Sequence, residues 1–265
     1  MTAIGKRALV TGASAGIGRA FAQRLATDGY DLILVARRRE KLEALAEELQ
    51  QSAGVNAEVI VADLTKPEDL LRVEDAARDV SLLINNAGFG AYQPFVVIEP
   101  DVAEDLVRVH VLATVRLSRA ALPNMVARGS GGIINVASLL AFSGSLPPDR
   151  LPYRAIYAGG KAFVVTFTQA LAGELADTGV MVSVCCPGVI ATEFHDVQGI
   201  DMTHLARMQP EEVVHASLAA LQRGEVVCIP ALDSPEALEQ LSEIQRTLIF
   251  SANASVAAAR YRESS

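Results

Sequence analysis

"RALVTGASAGIGRAFAQRLATDG" (residues 7–29) runs from a short apolar stretch, through glycines at 12, 16 and 18, into a sequence of helical period that closes on Gly29. The stretch over 7–12 predicts a strand and 17–29 predicts a helix, so "TGASAGIG" (11–18) is a strand-to-helix turn. A phosphate group suits such a turn. The first turn of a helix presents unpaired N–H groups and the positive end of its dipole, and glycines let a ligand approach the backbone. The spacing is not the common G-x-G-x-x-G, and taken alone it also reads as a plain tight turn.

Outward from this turn the pattern repeats. "DLILVAR" (31–37), "AEVIVADL" (57–64), "SLLINNAG" (81–88), "GGIINVAS" (131–138), "VMVSVCCPG" (180–188) and "EVVCIP" (225–230) read as strands. Helical stretches lie between them at 39–54, 67–79, about 101–127 and about 155–176. Several strands are unbroken apolar runs, as a sheet covered on both faces requires. The alternation predicts an α/β fold, a doubly wound parallel sheet with helices on both faces. The 265 residues contain no repeat, no low-complexity segment and no linker marked by composition. One domain over 1–265 is the economical reading.

Hydrophobic residues make up 51% of the chain, which excludes a disordered protein, and the net charge of −8 argues against a nucleic-acid partner. Three cysteines, two of them adjacent (Cys185, Cys186), form neither a disulfide framework nor a zinc site. His195, His204 and His215 lack zinc-site spacing, so no metal is expected. A reducing, cytoplasmic compartment is expected. "MTAIGKRALV" turns polar too quickly for a signal peptide, and no apolar run reaches membrane-span length, so no membrane partner is expected.

In an open parallel sheet, ligands lie at the carboxyl ends of the strands. The unusual polar and turn residues fall there: Arg37, Asp63, Asn85, Asn86, Gly88, Ser138, Pro187, Gly188 and Thr192. Each alone is ordinary turn chemistry; together they mark one crevice. A further signal is "AIYAGGKAF" (155–163), where Tyr157 and Lys161 share a helix face one turn apart. Two glycines stand between them, each costing a helix interior about 1 kcal/mol against alanine.

With these pieces in hand, the sequence resembles the short-chain dehydrogenase/reductase family in its classical branch. The resemblance rests on "TGASAGIG" for T-G-x-x-x-G-x-G, "NNAG" at 85–88, Ser138, "YAGGK" for Y-x-x-x-K and "PGVIAT" at 187–192, in order over roughly residues 5–195. It implies a single Rossmann-type NAD(P)-binding domain. The segment at about 190–222 would wall the substrate, and 231–265 would form a C-terminal tail.

The resemblance also implies roles. Tyr157 gives a proton to a carbonyl oxygen or takes one from a secondary alcohol. Lys161 lowers the phenol pKa and holds the nicotinamide ribose, and Ser138 fixes the substrate oxygen. Ser138 also reads as a strand-end cap. Gly12, Ser14, Gly16, Ile17 and Gly18 form the phosphate turn. Asp63 and Leu64 meet the adenine, and Asn86, Ala87 and Gly88 line the adenosine and ribose side. Pro187, Gly188, Ile190 and Thr192 lead to the nicotinamide. Small residues between Tyr157 and Lys161 would let the cofactor and a neighbouring element come close. The second strand ends in "LVARRRE" without a carboxylate until Glu40. An acid there would bind a ribose 2′-hydroxyl; Arg37, helped by Ser14, instead suits a 2′-phosphate. NADP(H) is therefore preferred, with NAD(H) possible. A basic first helical turn is the plainer explanation of the same arginines.

Two departures stand out. His110 occupies the place where the family usually has an asparagine that supports a helix kink and a proton-relay water. It can hydrogen-bond locally, titrate near neutral pH or have no chemical role. Ser138 and Tyr157 are also nineteen positions apart, longer than usual for the family, and the loop "SGSLPPDRLPY" (143–153) fills the difference. Such a loop either shapes substrate access or is a surface excursion.

The leading expectation is an NADP(H)-dependent carbonyl reductase or alcohol dehydrogenase. A catalytically impaired cofactor-binding regulator is the second, and an epimerase or dehydratase of the longer extended branch the third. The helix from about 155, apolar on more than one face, predicts a homodimer or homotetramer.

Overall fold

The structure, a computed structural model, describes residues 6–148, 151–196, 199, 201 and 204–262. Parts of the expected substrate wall (197–198, 200, 202–203, with the His195 side chain) and of the 143–153 loop (149–150) lie outside the described residues. The chain forms two compact units, Met1–Pro230 and Ala231–Ser265.

The first unit is a seven-stranded sheet: β1 (Arg7–Thr11), β2 (Asp31–Ala36), β3 (Ala57–Val61), β4 (Leu82–Asn85), β5 (Gly131–Val136), β6 (Val180–Cys185) and β7 (Val227–Cys228). The order is β3-β2-β1-β4-β5-β6-β7 and every pair is parallel. The expected doubly wound sheet is therefore present. Its order reverses between β1 and β4, where such sheets open a crevice at the carboxyl ends. Leu9, Ile33, Leu34, Leu83, Ile84 and Ile133 are fully buried, which accounts for the unbroken apolar runs.

The helices cover both faces by burying one stripe each. α1 (Gly16–Thr27) buries Phe21, Ala22, Leu25 and Ala26, and α2 (Arg39–Ala53) buries Leu42, Leu45 and Leu49. A side chain such as Phe21 or Leu25, wholly removed from water, contributes about 1.5–3 kcal/mol. α2 stops at Gly54, whose φ of +69° suits only glycine without strain. α3 (Pro67–Ala77) begins on proline and buries Leu70, Val73 and Ala77.

The expected helix at about 101–127 is three pieces: α4 (Pro100–Val107), a π-helical turn over Arg108–Leu112, and α5 (Ala113–Arg128). A π turn inserts a residue and widens the helix locally. Here it carries His110, and the Thr114 hydroxyl donates to the His110 carbonyl at 2.8 Å. The remaining helices of this unit are α6 (Ala155–Glu174), α7 (Glu193–Asp196) and α8 (Pro210–Gln222). The strand expected over 225–230 shrinks to two residues, because β7 is an edge strand and Pro230 has no N–H for a ladder. The second unit contains one long helix, α9 (Glu236–Ser251), with Ile244, Leu248 and Ile249 exposed.

Candidate active site

At the carboxyl ends of β1 and β4 the backbone is tied by Thr11. Its hydroxyl donates to Ile84 O at 3.2 Å and accepts from the N–H groups of Asn86 and Ala87 at 2.9 and 3.0 Å. The Asn86 side chain donates to Thr11 O at 2.9 Å. This brings "NNAG" hard against the glycine turn. A Cβ on Gly12 would lie 2.7 Å from Asn86 Nδ2, and one on Gly18 would lie 2.3 Å from Gly12 O. Glycines 12 and 18 are thus needed for close backbone packing as well as for any ligand.

The start of α1 has no side-chain cap and no acidic residue in its first turn. Its N–H groups are left for an anion, as a phosphate turn requires. Gly16 faces Thr192, whose Cγ2 is 3.0 Å from where a Gly16 Cβ would stand. Two of the expected cofactor segments therefore meet. Ile190 is buried and forms an isolated parallel bridge with Met208. Leu139 donates its N–H to Pro187 O at 3.0 Å, and Gly188 lies beside Leu139. Asp63 Oδ1 accepts from the N–H and hydroxyl of Thr65 at 3.0 and 2.9 Å, which fixes the turn after β3, and Leu64 is buried.

At the end of β2 the arginine that turns toward the glycine loop is Arg38. Its Nε and Nη2 donate to Ser14 Oγ at 3.2 and 2.9 Å. The same Nη2 lies 2.5 Å from Glu193 Oε1, and Lys41 Nζ is 3.0 Å from Glu193 Oε2. These cations, Arg38 first, hold the Glu193 carboxyl below its usual range. Arg37 is exposed and holds no ion pair among the described residues.

The Tyr157 and Lys161 side chains are both buried, at 6% and 5% residual exposure. Lys161 Nζ donates to Val136 O at 2.9 Å and stands 5.8 Å from the Tyr157 ring centroid. Ser138 caps the turn after β5, as one of its two readings expected, and it also stands at Tyr157. Its hydroxyl accepts from Leu140 N–H at 3.2 Å and is hydrogen-bonded to the Tyr157 phenol. Around Tyr157 stand three rings: Tyr92 at 5.3 Å, His110 at 5.3 Å edge-on and Phe194 at 6.3 Å. The glycines between Tyr157 and Lys161 are unlike each other. A Cβ on Gly160 would meet His110 at ordinary contact distance, whereas one on Gly159 would meet nothing within 4 Å among the described residues. The neighbouring element expected there is thus the π turn.

His110 Nε2 accepts the Phe89 N–H at 3.2 Å. That fixes the neutral tautomer with its proton on Nδ1, which is buried without a protein partner. Burial, then the Lys161 charge, pulls its pKa well below 6.5. Of the three roles open to His110, the local hydrogen bond is present, and burial disfavours its charged form. Burial also raises the Tyr157 phenol, opposed by hydrogen bonds from Tyr92 and Ser138. It brings Lys161 down to about 8, and it pushes the Cys186 thiol up to about 12, so that sulfur is no nucleophile at neutral pH.

Several participants were not singled out in the sequence: Thr11, Arg38, Tyr92, Glu193, Phe194 and Met208. Another is Arg154, which anchors the long loop. It is buried, and its guanidinium donates to Ser143 Oγ, Ser143 O, Leu146 O and Pro152 O at 2.6–3.1 Å.

A parallel sheet of this order, with a glycine turn after its first strand and Ser138, Tyr157 and Lys161 gathered at its carboxyl edge, defines a Rossmann-type protein. Residues 6–202 match the short chain dehydrogenase family. A 17-beta-hydroxysteroid dehydrogenase type 3 from Danio rerio is 33% identical, covering 84% of this chain and 72% of the relative. A short-chain dehydrogenase from Sphingobium yanoikuyae, solved in complex with NADPH, has a TM-score of 0.91 and 36% identity over 97% of this chain and 100% of its own. A bulky-bulky ketone specific alcohol dehydrogenase from Comamonas testosteroni has a TM-score of 0.88 and 32% identity over 98% of this chain and 100% of its own. The chain belongs to the short-chain dehydrogenase/reductase family and is an oxidoreductase of that family. No helix among the described residues is long and apolar enough to cross a membrane.

Proposed function

We propose that this protein is an NADP(H)-dependent reductase of ketones with two bulky substituents, working in reverse on the corresponding secondary alcohols. The observation that carries this reading is the Tyr157 phenol, buried, hydrogen-bonded by Ser138 and set one turn from Lys161. The residues fit the cofactor: the uncapped α1 start and the glycine turn receive its diphosphate, and Arg38 with Ser14 takes the 2′-phosphate, with Arg37 beside them. NADP(H) is preferred over NAD(H) because β2 runs into three arginines with no carboxylate before Glu40 to take a ribose 2′-hydroxyl. Bound there, NADPH supplies the hydride.

The protein's own part is the proton. Ser138 and Tyr157 grip the carbonyl oxygen and fix its position. As negative charge develops on that oxygen, the Tyr157 O–H bond breaks and a new O–H bond forms on the product. The phenolate left behind is stabilised by Lys161 and the neighbouring hydroxyls and is reprotonated from solvent. Tyr92 and Phe194 supply aromatic surface beside Tyr157, and the segment at about 190–222 is the substrate wall in this reading. The names of the relatives, a steroid dehydrogenase and a bulky-ketone enzyme, support a large ketone. The domain reading is one NAD(P)-binding domain with 231–265 as its tail. The three buried free cysteines suit a reducing, cytoplasmic setting, and exposed Val107, Leu112 and Phe163 suit a homodimer or homotetramer.

The test is NADPH oxidation with propiophenone and a 17-ketosteroid, in the wild type, Tyr157→Phe and Lys161→Met. Tyr157→Phe should lose at least 10²–10⁴-fold in turnover, as general acid–base groups do, with cofactor affinity nearly unchanged. Lys161→Met should lose both. Tight NADPH binding without turnover of any ketone or alcohol would instead favour a cofactor-binding regulator.

A further inference from the structure

Tyr157 is more crowded with hydroxyls than its chemistry alone requires. Tyr92, in the loop after β4, lies with its ring 5.3 Å from that of Tyr157, tilted by 60°, and the two side chains are hydrogen-bonded. With the Tyr157 proton directed at the substrate oxygen, Tyr92 is left as the donor of this bond, in keeping with the directions in which the two phenols are shifted. In the free protein Ser138 also bonds Tyr157, but its single proton is the one that holds the carbonyl oxygen when substrate binds, which leaves Tyr92 as the neutral donor on the Tyr157 oxygen.

The cations nearby are weaker helpers than they look. Lys161 donates to Val136 O, and in the free protein burial brings its pKa down to about 8. His110, from the π turn, is neutral and turns an edge to the phenol. Behind Lys161, Cys186 stays a neutral thiol. α4 packs on α6 and carries Asp101, Glu104 and Asp105, none of which perturbs the phenol. No full charge thus sits on the Tyr157 oxygen, while burial disfavours its ionised form.

We propose that Tyr92 is a positioning residue for Tyr157: its hydroxyl donates to the Tyr157 oxygen, orients the phenol and stabilises the phenolate, while Ser138 holds the substrate oxygen. This rests on the reading of Tyr157 as the acid/base. A neutral donor keeps its effect across the pH range in which Lys161 discharges. During reduction the proton leaves Tyr157 for the carbonyl oxygen, and the Tyr92 hydrogen bond strengthens as charge appears on the phenol. Tyr92 keeps its own proton throughout.

The experiment labels all tyrosines with fluorotyrosine and follows them by fluorine NMR against pH, with NADP+ bound. Comparison with Tyr157→Phe assigns the Tyr157 signal. In Tyr92→Phe, which keeps the ring, the Tyr157 midpoint should rise by about one pH unit, the worth of one hydrogen bond. The alkaline-rising limb for oxidation of the propiophenone-derived alcohol should move by the same amount, with NADPH affinity unchanged. Tyr92→Met, which fills the space without a ring, should shift both alike. An unmoved midpoint overturns the proposal, and so does a protein that folds with neither substitution, since Tyr92 would then be structural. If Tyr157→Phe keeps wild-type turnover, the acid/base reading itself fails, whatever the midpoint does.

Discussion

Arg38 Nη2 stands 2.5 Å from Glu193 Oε1, joining the residue just before α2 to the first residue of α7. Because the same guanidinium grips Ser14, the carboxylate occupies the neighbourhood proposed for the 2′-phosphate. An internal anion there competes with the ligand. Glu193→Gln should therefore tighten NADPH roughly twofold to fivefold, the range a half-exposed ion pair of up to about 1 kcal/mol allows. NADH should change little, and the gain should shrink in high salt. Fluorescence titration reads both constants. Arg38→Ala in the same assay should weaken NADPH more than NADH, and more than Arg37→Ala does.

Lys161 supplies a pH prediction. Its pKa in the free protein lies at about 8, below its ordinary 10.5, chiefly through burial. A ligand that engages the ammonium favours the charged form and raises that pKa. NADPH affinity should then be full below about pH 8 and weaken as pH rises through it, by at most tenfold per unit. Calorimetric titration from pH 6 to 10 tests this, and Lys161→Met should flatten the profile.

Arg154 makes a stability prediction. Its four hydrogen bonds draw on three carbonyl groups and a hydroxyl of the long loop, and no single apolar residue can satisfy them. Arg154→Met should cost about 2–3 kcal/mol, as loss of hydrogen bonds to a charged group does, read from urea unfolding. Proteolysis within 143–153 should accelerate. Unchanged stability and cleavage would contradict the anchor.

His110→Asn restores the residue usual in the family. The shorter side chain does not reach the Phe89 N–H, so a loss of about 1–3 kcal/mol in stability is expected. Turnover should survive and the shape of the pH–rate profile should stay as it was, because His110 is already neutral at pH 7. A profile that changes shape would mean that the imidazole carries protons.

The sequence by itself determined the α/β class, the parallel sheet and the glycine turn, and through the family resemblance it pointed to Ser138, Tyr157 and Lys161. Those signals are local: a run of apolar residues, a period of 3.6, a glycine before a helix, a pair four apart. It also marked His110 as anomalous, but it did not show the π turn that carries it. Only the tertiary structure decided which arginine faces Ser14. Arg37 and Arg38 are neighbours in sequence, and the direction of each depends on where the strand ends and on Glu193, which comes from the far side of the crevice. The same holds around Tyr157, where Tyr92, His110 and Phe194 arrive from three distant parts of the chain. Their burial and their shifted proton affinities come from packing across sequence separations that no local pattern encodes. The glycines in "YAGGK" illustrate the division: the sequence announced that helix propensity is overruled there, and the fold showed that a Cβ on Gly160 would meet His110 while one on Gly159 would meet nothing within 4 Å among the described residues.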